Sequence, residues 1–135
     1  MTRSEAFASY GVTLVNQQWS WSARNDDGAI VVLTFWQDHF YRAPNGKTMY
    51  AFPPLSDAER KRPGFRELVE NIEHAIAHCD GVVRAVISRA KDPAADPRKI
   101  ISSRPARFRM RIMEFDSATG AFIAEQVVDG AKREH

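Results

Sequence analysis

The chain has 135 residues, 44% of them hydrophobic and 27% charged, and its 19 Lys and Arg against 17 Asp and Glu leave a formal net charge of +2. That length suits one domain with one core, and the composition excludes wholesale disorder, collagen-like repeats and a pure coiled coil. A single cysteine, Cys79, excludes an internal disulfide and a multi-cysteine zinc site. Apolar runs such as 29–33 fall far short of the roughly 18 residues of a membrane span. No basic-then-apolar leader with a small-residue cleavage site is found. The expected setting is therefore the cytoplasm, with no membrane partner and no cofactor motif.

In chain order, residues 1–10 lack a clear period and read as an arm or a short helix. In the run 11–22, Trp19 and Trp21 share one face of a strand while Ser20 and Ser22 share the other. Asn25-Asp26-Asp27-Gly28 is a turn signal, because Asn and Asp tolerate left-handed geometry and Gly meets no steric penalty there. The run 29–36 is β-branched and aromatic with little polar alternation, which predicts a strand covered on both faces. Residues 37–64 hold Pro44, Pro53, Pro54 and Pro63 and read as a long excursion rather than regular structure.

The strongest periodic signal follows. Phe65, Leu68, Val69, Ile72, Ile76 and Cys79 keep the spacing of one helical face, which predicts a main helix over about 64–79 with Gly81 just past its end. Residues 82–90 read as a buried strand and 91–105 as a proline-containing connection. From 106 to 115, Phe108, Met110 and Ile112 alternate with Arg107, Arg109 and Arg111, and 116–120 forms a hairpin loop into a last strand at 121–128. The fold class is α+β, a small mixed, strongly curved sheet or barrel of about five strands with one main helix. An open α+β sandwich is the alternative. The whole chain reads as one domain, with a core over about 10–128 and flexible termini.

The charge is uneven. Arg84, Arg89, Lys91, Arg98, Lys99, Arg104, Arg107, Arg109 and Arg111 face only Asp92 and Asp96 between residues 84 and 111, a segment able to attract phosphate. On a strand, Arg107, Arg109 and Arg111 stand about 7 Å apart on one face, a spacing suited to successive phosphates or to an edge strand kept soluble by charge. Trp19, Trp21 and Trp36 lie on two adjacent predicted strands, where indoles can stack on a base or simply fill the core.

Sharper enzyme signatures are poorly supported. The triplet Gly46-Lys47-Thr48 lacks the earlier glycine of a phosphate-binding loop, since Tyr41 stands there. Glu70, His74 and His78 could project together as metal ligands, but from the helix face opposite Ile72 and Ile76, where a solvated row is expected, so no metal is assigned. Cys79 reads as a small core residue. Asp38-His39 is a candidate acid–base pair.

The residues Asn16-x-x-Trp19-Ser20-Trp21-Ser22-Ala23, followed by the strand ending Leu33-Thr34-Phe35-Trp36-Gln37-Asp38, resemble the opening of small PUA-like domains, the group that includes the EVE and ASCH-like barrels. The later order of helix, strand, proline-containing connection and hairpin is similar too, so the resemblance of pattern spans about residues 10–128. It implies a barrel whose pocket recognises a modified or flipped base in DNA or RNA, with Trp19, Trp21 or Trp36 near an aromatic pocket. On that reading Arg84, Arg104, Arg107, Arg109 and Arg111 would follow phosphates, and Arg42 and Lys47 would clamp the other side. Two other readings stay open: a non-catalytic scaffold that forms a homodimer, and a small enzyme working through Asp38 and His39.

Overall fold

The computed structural model describes residues 2–16, 20–95 and 98–127. Trp19, the end of the expected last strand and the C-terminal tail lie outside the described residues. The N-terminal residues form helix α1 (Arg3–Ala8), opened by a reciprocal pair in which Thr2 accepts from the Glu5 backbone N–H and Glu5 accepts from that of Thr2. Ala6 and Phe7 are fully buried, so the core begins earlier than residue 10 and this terminus belongs to it.

Strand β1 (Ser22–Arg24) is much shorter than the run 11–22 suggested. It meets β2 (Val31–Trp36) across the Asn25–Gly28 turn, where Asn25 Oδ1 accepts from the Ile30 backbone N–H at 3.0 Å. Gly28 has φ +74°, a left-handed geometry that favours glycine, and a Cβ there would sit 2.8 Å from His74 Nε2 and displace that ring. The stretch expected to be irregular is instead a hairpin of β3 (Phe40–Arg42) and β4 (Thr48–Phe52), followed by helix α2 (Asp57–Arg60). Its prolines sit in the turn and after β4, outside the paired residues, so they leave the ladder intact.

Helix α3 (Pro63–His78) is the main helix, accompanied by the two short ones. Strand β5 (Val82–Ala90) follows, then β6 (Ile100–Phe115), which starts six residues before the alternating run, then β7 (Phe122–Gln126). The seven strands form one mixed sheet in the order β1-β2-β5-β6-β7-β4-β3, with β2 and β5 parallel and the other pairs antiparallel. The expectation of about five strands is therefore too low, and the sheet is open, with β1 and β3 at its edges. Bulges in the β5–β6 and β6–β7 ladders bend the sheet.

Both faces of β2 are covered, as its composition predicts. Val31, Leu33 and Phe35 join the main core beneath α3, whereas Val32 packs with Phe7, Val12 and Val86 beneath α1. Helix α3 also leans on β1 through a polar seam: Asn71 Nδ2 donates to Ser22 Oγ at 2.8 Å, and His74 Nε2 meets the Gly28 carbonyl oxygen at 2.8 Å. The face carrying His74 is thus half used for packing, while Ile76, expected in the core, is 48% exposed. Among the described residues, no helix is long and apolar enough to cross a membrane.

Candidate functional site

A cavity of about 450 Å³ opens where β2 and β4 end and β6 and β7 begin. That volume falls within the ~300–1,000 Å³ common for small-molecule sites. Trp21, just before β1, and Trp36, the last residue of β2, both line it and are both half-buried. Phe52 closes β4 against Phe122 at 5.4 Å between ring centroids, and both line the cavity. The Pro53–Leu55 segment forms a further wall, held by a hydrogen bond from the Leu55 N–H to the Thr119 carbonyl at 2.9 Å. Gly120 permits this approach, since a Cβ there would meet Phe65 at 3.1 Å and Leu55 at 3.4 Å.

The wall is fixed from beneath by Tyr50, which is fully buried among Phe35, Phe40 and Phe122. Its hydroxyl accepts the Trp36 backbone N–H at 2.9 Å, an interaction spanning the sheet from β4 to β2. Burial pushes the Tyr50 hydroxyl far above its ordinary range, so it stays neutral. Thr34 also lines the cavity, and its Oγ1 is buried with no hydrogen-bond partner among the described residues.

Three arginines and one carboxylate, Arg3, Arg62, Arg98 and Glu59, complete the lining. Arg98 grips Asp38 with two hydrogen bonds of 2.7 and 2.8 Å. Its guanidinium carbon lies 5.1 Å from the Trp36 ring centroid, so one indole is oriented by a stacked cation. The Arg98 hydrogen bonds hold the Asp38 carboxyl below its usual range. Burial lowers His39, which lines the cavity, and favours the neutral imidazole. His39 Nε2 and Asp38 Oδ2 are 3.8 Å apart, too far for a hydrogen bond, and both Asp38 oxygens already serve Arg98. This arrangement orients an indole; it does not form a hydrogen-bonded acid–base couple.

The structure thus brings together Trp21, Trp36 and His39, with Asp38 behind Arg98. Arg84, Arg104, Arg107, Arg109, Arg111, Arg42 and Lys47 are not among the cavity's lining residues. Arg111 pairs with Asp80 at 3.3 Å, Lys47 with Glu125, and Arg84 sits 5.8 Å from the Tyr10 ring centroid. Arg42 donates to the Gly46 carbonyl at 2.7 Å within its own hairpin, whereas Arg104 and Arg107 are exposed. Sequence reasoning missed Arg3, Arg62 and Arg98 as site residues. Asp38 and Arg98 lie 60 positions apart, and no local pattern announces such a pair. Among the described residues, no group of three or more His, Cys, Asp or Glu side chains could hold a metal ion.

No family model matches the chain, and no curated protein or solved structure does either.

Proposed function

We propose that this protein is a nucleic-acid-binding module that takes one base of DNA or RNA into the cavity between Trp21, Trp36 and Phe52, in the manner of a PUA-like reader. The observation that carries this reading is a roomy cavity whose lining includes two half-buried indoles and three arginines. A base leaving its stack loses contacts on both faces, and aromatic side chains restore about 1–3 kcal/mol per base. The Arg98–Asp38 clamp supports the Trp36 ring and the Tyr50 hydroxyl its backbone N–H, so the wall is ordered before ligand arrives and less conformational freedom is lost on binding. The mechanism is extrusion and stacking, without bond breaking. Neutral His39 supplies a polar edge that distinguishes one base from another.

The test is a titration of the protein into labelled single- and double-stranded DNA and RNA oligonucleotides, with and without methylated or hydroxymethylated cytosine, at two salt concentrations. Anisotropy and tryptophan fluorescence are read together. Salt-sensitive binding accompanied by indole quenching is expected, and the preferred base names the target. Absence of binding to every oligonucleotide at low salt removes this reading.

A further inference from the structure

Building on that base-binding reading, we infer that the sugar-phosphate strand crosses the corner between α2 and α3, with Arg62 contacting the phosphate beside the inserted base, rather than tracking along β6. A phosphate bonded to the inserted nucleotide stays within one nucleotide's length of the cavity mouth, so cations on the rim are the ones that reach it. Arg62 both lines the cavity and is exposed to solvent. Exposed Lys61 and Arg66 flank it in the chain, and the first turn of α3 carries no acidic residue.

The depression that adjoins the cavity has the reverse character. It shares His39, Phe52, Pro53 and Phe122 with the cavity and continues past Glu114 and Asp116. Carboxylates there disfavour a strand that leaves through this depression, whereas the Glu59 carboxylate that lines the cavity from α2 is engaged by Ser56. None of the β6 arginines lines the cavity.

The experiment compares the wild-type protein with Arg62→Glu, Arg62→Gln and Arg107→Glu, using short single-stranded DNA and RNA over a range of salt concentrations, and free nucleosides as phosphate-less probes. The Arg62 side chain makes no capping hydrogen bond, so its replacement leaves the fold intact, which circular dichroism checks. Arg62→Glu is expected to weaken oligonucleotide binding about tenfold, and Arg62→Gln to flatten the salt slope by about 0.7–0.9, the share of one phosphate contact. In both variants oligonucleotide affinity should fall by more than nucleoside affinity does, and Arg107→Glu should stay within about twofold of wild type. If the wild type binds oligonucleotides with indole quenching but Arg107→Glu weakens binding and the Arg62 variants do not, the strand follows β6 and only this inference falls. If neither oligonucleotides nor nucleosides bind the wild type, the base-binding reading falls with it.

Discussion

Two basic regions of this protein differ in what surrounds their charge. Along β6 the arginines are dense in sequence, but they line neither the cavity nor the depression beside it, and Arg111 already faces Asp80. At the cavity the cations come from three distant places, α1, the residue before α3 and the segment before β6, and they line one cavity with the aromatic wall. Charge density along a strand therefore says little about where a charged ligand goes. Convergence on an aromatic, concave surface says more, because there one ligand can engage stacking and charge together.

The sharpest way to break this comparison is Trp36→Ala. It removes the indole that Arg98 stacks on and opens the wall above Tyr50. Oligonucleotide affinity should fall about 10- to 100-fold, the value of one stacked base, while substitutions on the β6 ladder leave it nearly unchanged. Because Trp36 is only half-buried, the melting temperature should fall far less than for a core deletion. A small affinity loss with a large stability loss would instead make Trp36 a packing residue.

The next effect is smaller and concerns charge alone. Asp38→Asn leaves Arg98 its stacking partner but removes the carboxylate that neutralises it. The cavity then offers one more uncompensated cation, so affinity at low salt should rise several-fold and the salt slope steepen by about 0.7–0.9. Acid acts in the same direction. Arg98 holds the Asp38 carboxyl below its ordinary range, so the pair's stabilisation is complete above the unfolded carboxyl's value and is lost as pH falls through the lowered folded one. The difference in tryptophan fluorescence between wild type and Asp38→Asn, which cancels the titration of His39 and Glu67, should therefore stay constant through mildly acid pH and change only below the usual carboxylate range. A change in the ordinary carboxylate range would mean that Arg98 does not grip Asp38 in solution.

The same contrast explains what could be read from the residues. The strands β2 and β5 and helix α3 were legible because each carries a long apolar pattern with one period, and the arginine alternation of β6 places Met110 and Ile112 inward as expected. The β3–β4 hairpin was hidden because its strands are short and flanked by prolines, so its signal lies in cross-strand pairs such as Phe40 with Tyr50. Trp21 and Trp36 stood out by residue type. The arginines that accompany them did not, because what distinguishes Arg98 from Arg107 is a partner on another strand. Helix α3 shows a related limit: Glu70, His74 and His78 read as a solvated row, yet His74 packs on Gly28, and Asn71 on the same helix is buried against Ser22.

That seam yields the smallest effect. Glu67 lies on α3 beside Leu68, which lines the cavity, and hydrogen-bonds the hydroxyl of Ser20, the neighbour of Trp21. Its Oε1 is buried without a partner among the described residues. Burial first, and then repulsion from Glu70, push the Glu67 carboxyl above its ordinary range, with the Ser20 hydrogen bond opposing them. A carboxyl raised in the folded state favours its protonated form, so the wild-type protein loses stability as pH rises through the unfolded value and on to the folded one. Glu67→Gln mimics the protonated state and keeps an acceptor for Ser20. Its stabilisation should be roughly a few tenths of a kcal/mol at neutral pH, small because solvent reaches much of this side chain. It should vanish below the carboxylate range. Melting curves at acid and neutral pH check this, and a loss of stability at neutral pH would show that the ionised carboxylate holds the seam. Because the seam backs the cavity wall and not the β6 ladder, the variant should shift nucleoside quenching slightly and leave the response to Arg107→Glu unchanged.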